Sequence, residues 1–563
     1  MKLVLLPFFV FSIYTSFSQA DIPKNWHTLD FEQDSFYGIS LDKAYHFLQQ
    51  KKLKPNRVIV AVLDSGCDTL QEDLKNILWH NPKEIPNNNI DDDGNGYVDD
   101  VYGWNFLGNK TGENLKNCSD EKTRIFYKFK QRFNGKKIDT NFLTKEELTD
   151  YKLWKMAANQ LNITTNDEVE VALIDMTIKS LKKYDKILKN EMGVEEYTAQ
   201  TLEKFEAKTT EAKQSKYGYL TTVRLLEIDT DEKNTSLIAQ LEEYVEAKRK
   251  AITAKEKAPI NYRDEIIKDD YANINDKYYG NPNVVGANPR HGTHVAGIIA
   301  AQRNNSLGID GIADNVKMMI LRVVPDGDEY DKDIALAIFY AVNNGAKVIN
   351  MSFGKSISPE KYWIDSAVKY AASKDVLLVH AAGNDSKNVD SIPSFPTPQY
   401  QNENTIAPNF ITVGASSDPK FSKGSIVADF SNFGKKTVNV FAPGVKIYST
   451  VPGVNNYANL QGTSMAAPIV SGLAALLREY FTSLTATQVK NIIENTVIKP
   501  IEDNTVVVAI GNEINSKTSL KDLCTSGGIV NAYKAVELAF KIDSENKKPS
   551  MKKSITPTIQ KSK

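Results

Sequence analysis

A chain of 563 residues is too long for one compact core of ordinary size, which points to one large domain with accessory segments. Its 41% apolar and 25% charged residues are those of a soluble globular protein, and a net charge of -1 gives no reason to expect nucleic acid or a membrane surface as the main partner. Three cysteines, Cys67, Cys118 and Cys524, cannot all pair within the chain and argue against a disulfide framework.

Lys2, the apolar run Leu3 to Phe11 and the small residues of Ser18-Gln19-Ala20 predict a secretory signal over residues 1–20, cleaved after Ala20. The rival reading, an uncleaved anchor, has an apolar segment short for spanning a bilayer. No later stretch is apolar enough to span, and no cysteine opens the predicted mature chain, so neither an integral segment nor a lipid anchor is expected. The protein is therefore expected to be secreted or periplasmic. Residues 21–56 are a lead segment in which Leu41 to Leu48 form a short amphipathic helix that packs on the domain to come.

The first part of that domain covers residues 57–107. Val58 to Leu63 is a continuous β-branched, apolar run, the pattern of a central parallel strand covered on both faces, and Asp64 stands at its C-terminal end. Alone, Asp64 reads equally as a turn or helix-capping aspartate. Cys67 reads as a small buried filler that would sensitise the protein to bulky thiol reagents. Asp91 to Asp100 then places five carboxylates and two glycines in ten residues. Asp91, Asp93, Asn95, a carbonyl at Tyr97, and Asp99 directly or through water reproduce the early ligand spacing of an EF-hand-like calcium loop. Tyr102 holds the place of that loop's closing glutamate, and a solvated acidic turn is the other reading.

From 108 to 259 the texture changes to long charged helices. Thr144-Lys145-Glu146-Glu147 is a capping box; Ile174, Ile178, Leu181 and Leu188 recur at helical spacing, as do Leu237, Leu241 and Tyr244. Such stripes read first as the faces by which helices pack together; the sharper reading is a helical subdomain overhanging a cleft. Asn117-Cys118-Ser119 and Asn162-Ile163-Thr164 match the short glycosylation pattern.

Residues 260–540 return to strand and helix in alternation, through Val316 to Val324, Asp333 to Asn343, Ala346 to Met351 and Val376 to His380. That is the pattern of a doubly wound, mostly parallel α/β sheet with helices on both faces. His291-Gly292-Thr293-His294 opens one helical run. Its histidines lack the glutamate of a zinc-protease helix and any evident third ligand. Gly462-Thr463-Ser464-Met465-Ala466-Ala467-Pro468 opens another that is apolar on nearly every face, so a buried helix holds the Ser464 hydroxyl rigidly. Residues 541–563 form a tail, lysine-rich and free of acidic residues from Asn546 on, that reads as disordered, with weak anionic-surface binding as the lesser view.

Val62-Leu63-Asp64-Ser65-Gly66, His291 to Gly297, Ala381-Ala382-Gly383-Asn384 and Gly462 to Pro468 together resemble the subtilisin-like serine peptidases. Their order, Asp, His, Asn, Ser, is the subtilisin one. Phe395-Pro396, Phe430 to Gly434 and Phe441-Ala442-Pro443-Gly444 are further family-like elements, the first implying a cis peptide. The resemblance implies Ser464 as nucleophile, His291 as general base, Asp64 as its orienting carboxylate and Asn384 as side-chain donor to the oxyanion, with His294 a structural neighbour. It implies that Ser352, Phe353, Gly354, Ala382 and Gly383 meet extended substrate backbone. Two departures stand out: 227 residues separate Asp64 from His291, where the family has a few tens, and the lead is too brief for the usual foldable pro-domain. The expectation is an exported serine endopeptidase acting on polypeptides through an acyl-enzyme, with structural Ca2+. A narrow processing peptidase gated by the helical insertion, or a peptide-binding protein without turnover, are the alternatives; oligomeric state is not legible.

Overall fold

The computed structural model describes residues 22–547 apart from 162–164, 227, 229, 231, 255, 423, 501–505 and 511–512. The expected signal segment, the Asn162-Ile163-Thr164 match and the tail from 548 lie outside the described residues.

Seven strands form one sheet: β1 (Val58–Asp64), β2 (Gly103–Asn105), β3 (Val316–Arg322), β4 (Val348–Met351), β5 (Leu377–Ala381), β6 (Phe410–Ser416) and β7 (Val440–Pro443), in the order β2-β3-β1-β4-β5-β6-β7. Every neighbouring pair is parallel. The continuous apolar run of β1 takes an interior place because both of its faces must leave water: Val60 and Val62 enter one core, Ala61 and Leu63 the other, all with no exposure.

Eleven helices are used below: α1 (Leu41–Gln50), α2 (Glu121–Phe133), α3 (Lys145–Gln160), α4 (Thr165–Met192), α5 (Thr210–Leu225), α6 (Asn234–Thr253), α7 (Arg290–Ala300), α8 (Asp331–Asn343), α9 (Lys361–Ser373), α10 (Thr463–Tyr480) and α11 (Ala532–Asn546). Helices α1, α7, α10 and α11 share the first core; α8 and α9 cover the opposite face. The arrangement is the α/β one that the strand and helix alternation predicts. No helix among the described residues is long and apolar enough to cross a membrane.

The lead segment is built into the domain. Trp26 is fully buried and its indole N–H faces the carbonyls of Val445 and Lys446 at 3.1 and 3.2 Å. Asn531 donates to Ser40 Oγ at 2.7 Å, and the Ala532 N–H donates to the Ile39 carbonyl at 2.7 Å, so the lead and the start of α11 are tied together. Truncating a buried tryptophan costs about 3–5 kcal/mol in general. We expect Trp26→Ala to lose stability of that order in urea unfolding at unchanged m-value, because the indole fills a closed site that its neighbours cannot refill.

Between the two parts of the sheet, α2 to α6 pack largely on one another. Leu181 and Leu188 of α4, Tyr219, Leu220 and Val223 of α5, and Leu237 and Ile238 of α6 make one apolar cluster; Ile178 and Val245 sit in a smaller one. Thr144 and Glu147 form the expected capping box. Tyr244 departs from its stripe: it is 43% exposed and its hydroxyl donates to Glu170 on α4, because the α6 surface facing α4 is already filled by Leu241 and Val245.

Candidate active site

The loops after β1, β4 and β5 leave one edge of the sheet, and α7 and α10 begin against them. Carboxyl ends of parallel strands are where such sheets gather their chemistry, since the chain must turn there and side chains converge. Gly292 shows how tightly α7 abuts the first loop: a Cβ there would lie 2.0 Å from the Gly66 carbonyl oxygen.

Asp64 closes β1 with its side chain 1% exposed, and His291, second in α7, keeps 39% of its side chain open. His291 Nδ1 lies 2.8 Å from Asp64 Oδ1, an oxygen that also accepts the Ser65 N–H at 2.7 Å. A buried carboxylate on Nδ1 fixes the ring proton there and leaves the Nε2 lone pair outward. Ser464, second in α10, donates its hydroxyl to the Ser352 carbonyl at 3.0 Å, and Ser352 Oγ returns a bond to the Ser464 carbonyl at 2.9 Å. Ser352 Oγ also accepts from Asn350 Nδ2 at 2.9 Å, while Asn350 Oδ1 accepts from Ser471 Oγ at 2.8 Å. A buried polar chain thus stitches the end of β4 to the first turns of α10.

Asn384, exposed beyond β5, has its amide oriented by Thr463. The Thr463 N–H and hydroxyl donate to Asn384 Oδ1 at 2.8 and 2.9 Å, which turns Nδ2 the other way, toward Gly462. The Gly383 N–H in turn donates to Thr463 Oγ1 at 3.0 Å. Gly383 has φ +103, and a Cβ there would meet Asn432 Nδ2 at 2.3 Å, so no other residue fits. Ala382 is buried behind it. Phe353 and Gly354 continue from Ser352; the Phe353 carbonyl accepts from His380 Nε2 at 2.8 Å, a ring that burial pushes down to about 4 and so keeps neutral. Lys355 exchanges backbone bonds with Phe395, and the Phe395-Pro396 peptide is cis, as expected.

Asp64 is thus paired with His291, Ser464 with Ser352, and Asn384 with Thr463 beside Ser464. His294 lies buried, its Nε2 3.0 Å from the Ala458 carbonyl, with burial pushing it down to about 3; among the described residues it joins no metal-ligating group. Cys67 is fully buried and burial pushes its thiol up to about 12, which keeps it a thiol and shields it from the reagents to which the sequence suggested sensitivity.

At the acidic loop, Asp91 and Asp93 stand within 4.8 Å of a third carboxylate, Glu84, which the loop pattern did not include. Both Asp99 oxygens accept backbone N–H groups, from Asn88 at 3.2 Å and Asn89 at 2.9 Å, and Asn95 Oδ1 accepts the Tyr97 N–H at 2.7 Å. Glu84 and Asp91 accept backbone N–H groups in the same way, from Asp92 at 3.0 Å and Gly96 at 2.8 Å, and it is Glu84, Asp91 and Asp93 whose carboxylates cluster. Sequence reading also assigned nothing to Thr463 and Asn350. Asn350 had a signal, an amide inside the apolar strand Val348–Met351; Glu84 had none.

Comparison with known proteins identifies the family. The model of the subtilase family matches residues 56–533. The chain belongs to the subtilase family. Subtilases are serine endopeptidases, and this one is similar to the thermophilic serine proteinase of Bacillus sp. (strain AK1), 43% identical over 188 residues, 33% of this chain and 42% of that one. It is 37% identical to thermitase of Thermoactinomyces vulgaris over 248 residues, 44% of this subtilase and 75% of thermitase. Among solved structures, the prenylagaramide maturation protease PagA is 29% identical, with a TM-score of 0.35, over 44% of this subtilase and 82% of that chain.

Proposed function

We propose that this subtilase is an exported endopeptidase that hydrolyses polypeptides through an acyl-enzyme, with Asp64, His291 and Ser464 as its triad and Asn384 as oxyanion donor. The observation that carries the reading is the 2.8 Å contact of His291 Nδ1 with the buried Asp64 carboxylate, on the edge where Ser464 opens α10. The Ser464 hydroxyl turns from the Ser352 carbonyl to His291 Nε2, which takes its proton as Oγ bonds to the substrate carbonyl carbon. The oxyanion so formed is met by Asn384 Nδ2 and the Ser464 N–H. His291 then delivers its proton to the departing amine as the C–N bond breaks, and a water deprotonated by the same nitrogen releases the acyl group. Ser352, Phe353 and Gly354 on one side, with Ala382 and Gly383 on the other, supply backbone to an extended substrate. Export rests on Lys2, the Leu3 to Phe11 run and Ser18-Gln19-Ala20. A fluorophosphonate reagent tests the reading directly: we expect one adduct, on Ser464, with peptide turnover lost in parallel, whereas a folded protein that is neither labelled nor active is a binding protein instead.

The Asn384 amide acts only once the substrate carbonyl becomes an oxyanion. Asn384→Ala is expected to lower kcat by about 10²- to 10³-fold with KM little changed; that magnitude is the one known for subtilisin, a member of the same family. Steady-state kinetics on one peptide separates the two parameters.

We propose further that Glu84, Asp91 and Asp93 hold a structural Ca2+. Three carboxylates converging within 4.8 Å are a hard-oxygen donor set. Burial, with added repulsion from Asp93 and Asp92, raises the Glu84 carboxyl, a cost that a divalent cation offsets. Chelation is expected to lower the melting temperature, by the equivalent of about 2.7 kcal/mol where calcium had stood at 100 times its dissociation constant. Asp91→Ala should abolish the difference between chelator and calcium; an unchanged melting curve in chelator refutes the site.

A further inference from the structure

The insertion reaches both walls of the site. At one wall, Arg290, the residue before His291, places Nη2 3.4 Å from Ser236 Oγ in the first turn of α6. At the other, Ile357, just beyond Ser352-Phe353-Gly354, is buried in a cluster with Ile125 and Phe126 of α2, Ala157 of α3, Leu161, and Ala254 at the far end of α6. Ser356 Oγ donates to Gln160 Oε1 at 2.6 Å on the same wall. At about 1.5 Å per residue, the helix carries the chain roughly 27 Å from Ser236 to Ala254. The helix thus runs from a contact beside the histidine to a cluster, just past its end, beside the substrate-pairing segment.

The stem of the insertion, at α2 and the residues just before it, is locked. Lys355 Nζ donates to Glu121 Oε2 and to the Glu329 carbonyl, each at 2.8 Å, and pairs with Asp331 at 2.8 Å, all of these groups buried. Arg124 pairs with Glu121 at 2.7 Å and donates to the carbonyls of Ser119 and Asp328. Cys118 and Asp326 join the insertion to the loop after β3, the Cys118 N–H meeting the Asp326 carbonyl at 2.8 Å. Pulling this stem away would strand several buried charges at once, which is costly. The stem of the insertion is therefore fixed where α2 leaves the domain.

Resting on the peptidase reading above, we propose that α6 is a size filter: the site admits extended, unfolded polypeptide threaded beneath the helix and rejects scissile bonds carried close to a compact folded domain. The chemistry recognised is that of backbone in extended form with little bulk on either side.

The test is a series of one cleavable peptide sequence fused to a compact globular domain through spacers of increasing length, with the free peptide as reference. In the wild type we expect kcat/KM to fall by about tenfold or more as the spacer shortens. The variant Leu237→Ala/Val245→Ala removes buried side chains by which α6 packs on its neighbouring helices, Leu→Ala costing about 2–5 kcal/mol. It is expected to cleave the free peptide as the wild type does and to lose most of the spacer dependence. Circular dichroism and an unchanged free-peptide rate show that it is folded. A wild type that cleaves the free peptide with no spacer dependence overturns the filter alone, as does a folded variant that keeps the full dependence. A folded wild type that turns over no peptide and takes no serine reagent overturns the peptidase reading beneath it.

Discussion

Ser464→Ala is expected to abolish turnover of a small peptide, with kcat lower by about 10⁶-fold and KM close to that of the parent; the magnitude is subtilisin's, within the same family. The physical reason lies at the head of α10. The Ser464 backbone is held by Ser352 Oγ at 2.9 Å, so the proposed nucleophile has only its hydroxyl to turn, from the Ser352 carbonyl at 3.0 Å toward His291. Alanine keeps that backbone bond and the Thr463 contacts to Asn384, so binding survives and bond breaking does not. A progress curve on a fluorogenic peptide measures the loss. A residual rate within tenfold of the parent would mean that another nucleophile does the work.

Asp64→Asn is expected to lower kcat by about 10⁴-fold, with the protein still folded. Asp64 Oδ1 accepts the Ser65 N–H and faces His291 Nδ1 at 2.8 Å, so the ring carries its proton on Nδ1. An amide that turns its NH2 toward that nitrogen demands a lone pair there and drives the ring proton to Nε2, where it cannot accept from Ser464. Asp64 is almost fully buried, so solvent does not supply a substitute acceptor. The variant should still be labelled by a fluorophosphonate, far more slowly than the parent, which separates a slowed site from an unfolded one. Measured kcat/KM within tenfold of the parent would assign the orientation of His291 to another group.

Much of the site was legible because its residues sit at positions that strand and helix periodicity marks. Asp64 follows an unbroken apolar run that belongs inside a parallel sheet, and Ser464 precedes a helix apolar on every side, so both places were visible from local pattern. Asn384 was visible only through resemblance, since Ala-Gly-Asn after a strand is equally a turn. Thr463 escaped because a threonine beside a serine carries no sign that it orients a side chain 79 residues away. Tyr244 shows the opposite failure: helical spacing suggested a packed face, and the surface toward α4 proved already filled by Leu241 and Val245.

Residue pattern by itself determined the α/β sheet and the presence of a long helical segment within it, because each is written in periodicity and short-range spacing; the order Asp, His, Asn, Ser came from the resemblance. Tertiary structure alone decided which groups face one another. It brought Glu84 to Asp91 and Asp93, turned Asn384 through Thr463, sank Trp26 of the lead into the domain, and carried α6 from Arg290 to Ile357. The last three of those outcomes depend on close packing between segments 54 to 419 residues apart, where a difference of about an ångström makes or loses a hydrogen bond, and no local propensity encodes that.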